Sequence, residues 1–257
     1  MYKLFVKLAQ SVASLILLFT TLFSFTDSAK EIAEFRKTPL DLPQGFTVTA
    51  HSGAMYTIDN SVPSIRQIRE SAVDIIEMDV TFRPDGTPVS LHNSEPGEKQ
   101  GVMLYIMLKE IAVSDTLHIN LDLKSSANLP AVQALVDQYG LSERVFYTGV
   151  GEGLCAKIQA ETPRIPYYLN IGLDGKQNDR AQLEALAQKV KNLGALGLNI
   201  SCTDASALLC DVMHENGLLV SVWTVNNTLD QYRMLSFGVD NITTKEPNKL
   251  LQIIREW

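Results

Sequence analysis

Eight short runs rich in aliphatic and β-branched residues recur along the chain after residue 46, and stretches of helical character separate them. The runs fall at residues 47–51, 74–80, 117–123, 145–148, 165–170, 195–200, 219–225 and 239–243. Apolar periodicity predicts helices at 61–71, 129–139, 180–192, 205–215 and 229–237. Short apolar strands alternating with helices require a parallel sheet covered on both faces. About eight such units in about 200 residues favour a closed (β/α)8 TIM barrel over an open doubly wound sheet. A ninth run, 88–92, follows the turn signal Arg83-Pro84-Asp85-Gly86 and reads as a small hairpin strand outside the count. One barrel domain is therefore expected over residues 40–257.

The first 29 residues read as an address. Lys3 and Lys7 precede an uncharged run of 18 residues, Leu8 to Phe25. A basic start followed by such a run predicts a secretory signal, and its length also suits a retained signal anchor. Either way the domain is expected outside the cytoplasm, secreted, periplasmic or anchored, with a membrane surface as a candidate partner. The chain carries 22 Lys+Arg against 29 Asp+Glu, a net charge of −7. Nucleic acid is excluded as a general partner, because neutralising phosphates needs clustered cations. Cys155, Cys202 and Cys210 form no CxxC pair, so a zinc cluster is not indicated; free thiols and one Cys202–Cys210 bridge both remain open. The glycine-rich loop of a dinucleotide fold, the Gly-x-Ser-x-Gly elbow and a P-loop lysine are all missing.

In a barrel of this kind chemistry sits at the C-terminal ends of the strands. His51 closes the first run. Glu77 and Asp79 lie two apart near the end of the second and so share a face, while Ile76, Met78 and Val80 occupy the apolar face. Asn120, Asp122 and Lys124 repeat the pattern on the third. Three carboxylates in a barrel mouth are costly to bury unpaired. A divalent cation held by Glu77, Asp79 and Asp122 would remove that cost, and hard oxygen ligands suit Mg²⁺ or Ca²⁺. Lys124 is expected to pair with the carboxylates and to attract a phosphoryl oxygen. His51 and His92, at two predicted loop openings, are the candidate base and acid, since imidazole titrates near pH 6.5. His118, placed in the buried body of its strand, and His214, late in a helix, are expected to be structural. Trp223 either fills the barrel core or forms an apolar wall at its mouth.

These residues carry a resemblance. Ala50-His51-Ser52-Gly53, Asp59-Asn60-Ser61 and Ile76-Glu77-Met78-Asp79-Val80 resemble the opening of the glycerophosphodiester phosphodiesterase family. Asp85-Gly86-Thr87-Pro88-Val89 and Leu91-His92-Asn93 continue it, and the closing strings at 222–226 and 238–247 are similar to the family's last two strands. The resemblance implies a TIM barrel that cleaves glycerophosphodiesters to glycerol 3-phosphate and an alcohol, with a divalent metal and two histidines. Carried over, the histidines fall on His51 and His92, the metal acids on Glu77, Asp79 and Asp122, and the lysine on Lys124. Several positions depart from the pattern. Ser52 stands where arginine is usual, Ile58-Asp59 where Pro-Glu is, Asn93 where aspartate is, and Lys245 where another aspartate is. The small insertion after the second barrel strand is expected to be largely absent. An aspartate third ligand is also similar to phospholipase D-like enzymes acting on intact phospholipids. Ser52 and Asn93 keep a barrel that binds phosphodiesters without cleaving them among the alternatives.

Overall fold

The computed structural model describes residues 27–257. The expected signal or anchor, 1–29, therefore lies almost wholly outside the described residues. The chain divides into two units. One runs to Leu40 and includes Trp257, and its described part carries a helix over 27–35 (α1); the other spans Asp41 to Glu256.

The larger unit is the barrel. Its strands are β1 (Thr47–Ala50), β2 (Ile75–Phe82), β3 (Pro88–Ser90), β4 (Val102–Met103), β5 (His118–Leu123), β6 (Val145–Val150), β7 (Tyr167–Asn170), β8 (Gly197–Ser201), β9 (Leu219–Trp223) and β10 (Asn241–Thr244). Its helices are α2 (Val62–Arg69), α3 (Leu104–Ile111), α4 (Leu129–Gln138), α5 (Glu152–Glu161), α6 (Arg180–Asn192), α7 (Ala207–Glu215), α8 (Thr228–Phe237) and α9 (Pro247–Glu256). β1, β2 and β5 to β10 pair in parallel in chain order. β1 then pairs with both β10 and β2, through Ala50↔Thr244 and Ala50↔Ile76 among others, which closes the ring. The fold is the (β/α)8 barrel expected from the alternation.

Alternation along each strand builds two different layers. On β2 all eight residues are buried. Ile76, Met78 and Val80 belong to the apolar layer between sheet and helices, with Ile65 and Ile68 of α2 and Leu104, Met107, Leu108 and Ile111 of α3, all at most 2% exposed. Each such side chain contributes roughly 1.5–3 kcal/mol by leaving water. The inward layer carries many polar side chains instead, and these hydrogen-bond to one another. Asn241 Nδ2 donates to Thr49 Oγ1 at 2.7 Å, and Ser221 Oγ donates to Asn199 Oδ1 at 2.9 Å. Asn199 Nδ2 reaches Asn170 Oδ1 at 3.3 Å. A hydrogen-bonded belt of this kind makes a polar barrel interior tolerable.

Local signals set the ends of the elements. The side chains of Ser61, Asp179, Ser206 and Asn227 cap α2, α6, α7 and α8, each accepting a backbone N–H. Gly238, at φ 74°, closes α8 in the left-handed conformation that favours glycine. At the opposite end of the barrel from the expected site, carboxylates anchor the strand starts: Asp74 Oδ2 accepts from Val48 N and Asp240 Oδ2 from Val220 N. His214 Nε2 lies 2.8 Å from Asp240 Oδ2, a structural contact. His118 corrects an expectation. It is exposed, because β5 begins there, where the barrel opens to water, and the buried part of the strand starts one residue later. Cys155, Cys202 and Cys210 are all free, with Cys155 and Cys210 buried.

The segment between β2 and α3 carries a short hairpin. β3 turns back antiparallel on β2 through Thr81↔Val89 and Phe82↔Pro88, and β4 pairs with β3. The Arg83 guanidinium staples it by donating to the carbonyls of Gln100 and Gly101, at 2.9 Å each.

Candidate active site

The C-terminal ends of the strands surround a cavity of about 380 Å³ whose lining includes His51, Glu77, His92, Asn120, Asp122, Lys124, Thr148 and Trp223. The site candidates read from the sequence are His51, Glu77, Asp79, His92, Asp122, Lys124 and Trp223. Six of these line the cavity, and Asp79 is buried directly beneath, in contact with His92 and Lys124.

The parallel register of β2 and β5 sets Glu77 beside Asn120 and Asp79 beside Asp122. Oxygen atoms of Glu77, Asp79 and Asp122 lie within 4.8 Å of one another. Burial first, then the neighbouring Asp79 and Asp122, push the Glu77 carboxyl well above the usual carboxylate range, although Ser52 N donates to Glu77 Oε2 at 2.7 Å. Burial acts on Asp79 in the same direction, but the Asn60 amide and the Lys124 ammonium outweigh it and hold this carboxyl below its ordinary value. Lys124 Nζ sits 3.1 Å from Asp79 Oδ1 and in closer contact with Asp122 Oδ2. Burial opposes its charge, yet Asp122 and Asp79 raise its pKa.

The histidines approach this cluster from two directions. His51 follows β1 directly, and its backbone N–H donates to Thr244 O at 2.9 Å, which holds the residue at the rim. Its Nδ1 is 2.8 Å from Ser52 O. A carbonyl can only accept, so the proton sits on Nδ1 and the lone pair of the neutral ring is on Nε2. His92 is brought back over β2 by the hairpin, with Nδ1 3.3 Å from Asp79 Oδ1. Trp223 ends β9 at the cavity mouth and is 41% exposed, so it walls the opening and does not fill the core.

Two further residues hold the cluster: Asn60, which the motif strings contain without a role, and Ser52, a departure from the family pattern. Asn60 Nδ2 donates to Asp79 Oδ2 at 2.6 Å, and Asn60 Oδ1 accepts from Asp79 N and from Ser90 Oγ. It adopts φ 53°, a conformation asparagine tolerates better than most residues. Ser52 is 3% exposed, and its Oγ accepts from Asn60 N at 2.6 Å, so it braces the Asn60 loop. Lys245, another departure, reaches across to Asp59 Oδ1 at 3.0 Å and ties the loop after β10 to the loop after β1. Asn93 uses its side chain locally, accepting from Glu95 N.

A sequence profile of the glycerophosphoryl diester phosphodiesterase family matches residues 95–249. The chain belongs to that family. The matched segment starts just after His92 and contains Asp122, Lys124 and Trp223, while the fold brings His51, Glu77, Asp79 and His92 to the same place. A glycerophosphodiester phosphodiesterase of Caldanaerobacter subterraneus is 23% identical over 246 residues, covering 81% of this chain and 98% of its own. Among solved structures, a Silicibacter pomeroyi protein assigned to the same family superposes with TM-score 0.71 at 21% identity, over 84% of this chain and 96% of its own. An Oleispira antarctica phosphodiesterase, solved with the product sn-glycerol-3-phosphate, superposes with TM-score 0.69 at 18% identity, over 83% and 97%. Members of this family are phosphodiesterases, and this chain is one of them.

Proposed function

We propose that this phosphodiesterase hydrolyses glycerophosphodiesters to glycerol 3-phosphate and an alcohol, using His51 as base and His92 as acid beside a divalent cation, Mg²⁺ or Ca²⁺. The carrying observation is the cluster of Glu77, Asp79 and Asp122, three carboxylates within 4.8 Å of one another at the cavity floor. Lys124 offsets one of these charges, and the two left over match a divalent ion. Burial first, then the two neighbouring carboxylates, disfavour the charged form of Glu77 when no cation is present, and an all-oxygen donor set suits a hard cation. Bound there, such an ion would neutralise charge on the phosphoryl oxygens and fix the diester.

The chain's own groups supply the rest. Lys124 offers a second positive charge to the phosphoryl group. His51 takes the proton of the attacking hydroxyl on Nε2, the nitrogen its Ser52 contact leaves free. His92, exposed above Asp79, gives a proton to the departing alkoxide. Trp223 keeps the mouth apolar on one side. The Oleispira product complex supports glycerol 3-phosphate as the product class. The test is release of glycerol 3-phosphate from glycerophosphocholine and related diesters, after chelation and after refilling with Mg²⁺ or Ca²⁺. Turnover unaffected by chelation would remove the cation; no turnover of any diester would leave a binding barrel.

One feature favours a second substrate. Tyr56 and Ile58, in the loop after His51, are 93% and 76% exposed, and with Trp223 they give this end of the barrel an apolar character suited to lipid. Phospholipid vesicles assayed beside glycerophosphocholine separate the two substrates by product. The apolar run at 8–25 supports export, which fractionation of cells making the full chain would test.

A further inference from the structure

Asp122 is the least buried of the three carboxylates, and a hydroxyl from the neighbouring strand holds it. Register pairs Asp122 on β5 with Thr148 on β6, and Thr148 is 1% exposed. Thr148 Oγ1 lies 2.8 Å from Asp122 Oδ1 and 2.8 Å from Asn120 Oδ1. A threonine hydroxyl has one proton and cannot donate to two acceptors at once. A carboxylate is the stronger acceptor, since charge-assisted hydrogen bonds are about twice as strong as neutral ones. The proton therefore goes to Asp122. Turned over, the Asn120 amide would donate from Nδ2 to Thr148 Oγ1, since amide oxygen and nitrogen are nearly indistinguishable in shape.

The other oxygen of Asp122 is held by Lys124, so both are directed. Gly149 leaves no slack behind the residue. At φ 71°, a Cβ there would come within 2.8 Å of Asp122 Oδ1 and 2.5 Å of Leu123 O. Its N–H donates to Asn170 Oδ1 at 2.9 Å, which joins the site to the polar belt inside the barrel.

We propose that Thr148 is a positioning residue: its hydroxyl, oriented by Asn120, aims the Asp122 carboxylate at the cation. This rests on the cation assigned under Proposed function. Partners that orient carboxylate ligands typically change metal affinity by about 10–100-fold when removed. The test is Mn²⁺ binding to chelator-treated full-length protein, followed by electron paramagnetic resonance and calorimetry, with no substrate present. Thr148→Val keeps the shape and removes the donor, and about a tenfold weaker Mn²⁺ affinity is expected with thermal unfolding in EDTA within a few degrees of the parent. Thr148→Ser keeps the donor and should bind within about threefold of the parent. Equal Mn²⁺ affinity in Thr148→Val and the parent would overturn the role of Thr148, as would a Thr148→Ser protein as weak as Thr148→Val. If Thr148→Val does not fold, Thr148→Cys, with only a weak S–H donor, takes its place against Thr148→Ser under the same criterion. A parent protein that binds no Mn²⁺ would remove the cation itself, and this proposal with it.

Discussion

Glu77 shows how one residue sets stability and function against each other. Its carboxyl is buried beside two others, and its pKa in the folded chain lies well above the unfolded value. A group shifted this way favours the folded state below the unfolded pKa, and that contribution is lost as pH rises through the folded pKa. At neutral pH an ionised Glu77 therefore works against the metal-free protein. Glu77→Gln should raise the metal-free Tm at pH 7.5 by about 2–6 °C and abolish any rise in Tm on adding Mg²⁺ or Ca²⁺. An unchanged metal-free Tm would mean that Glu77 is accommodated without cost. His51 behaves differently, since its ring is partly exposed and no strand depends on it. His51→Ala should lower turnover of glycerophosphocholine by about 10²–10⁴-fold while cation-induced stabilisation persists; loss of both together would place His51 in the binding of the ion.

At the scale of elements, the two ends of the strands carry separate duties. Asp240 sits before β10 at the end away from the cavity, is 8% exposed, and accepts from Val220 N and contacts His214 Nε2. It thereby joins β9, β10 and α7 through one carboxylate. Asp240→Ala leaves a buried N–H without its acceptor and should destabilise by about 1–3 kcal/mol. Denaturant unfolding should show that loss while kcat stays within about twofold of the parent. A fall in kcat at unchanged stability would mean that the two ends are not separable. The hairpin has the opposite duty: β3 and β4 contribute little to the barrel wall but return His92 to Asp79. Helix α5 was hard to read from sequence for a reason visible in the structure. Only Cys155 and Ile158 of its residues are buried, so its apolar period is faint. Strand β2, by contrast, was legible because apolar and acidic residues alternate from Ile76 to Val80.

For the whole molecule, a ligand that binds only the folded state stabilises it by RT ln(1 + [L]/Kd). A cation at a hundred times its Kd would contribute about 2.7 kcal/mol, or about 5–10 °C in Tm for a domain of this size. Scanning calorimetry in EDTA and then in excess Mg²⁺ or Ca²⁺ should show a difference of that order, absent from Glu77→Gln. No difference in the parent would argue that Lys124 alone neutralises the cluster. The ring is closed, since β1 pairs with both β2 and β10, and the carboxylates on β2 and β5 are fixed by the same hydrogen-bonded wall.

The alternation of strand and helix, the face shared by Glu77 and Asp79, and the rim positions of His51 and Asp122 were all legible in the sequence, because each follows from local periodicity and from the polarity of parallel strands. Other features depend on which residues meet across long separations, and only the tertiary structure decided them. Asn60 clamps Asp79 from a loop, Ser52 turns inward to brace that loop, Thr148 meets Asp122 through inter-strand register, and Trp223 stands at the mouth. Chain periodicity fixes the direction in which a side chain leaves its own strand. It carries no information on the partner that a neighbouring strand's register brings to it, and that partner sets the charge, proton and orientation of every group in the site.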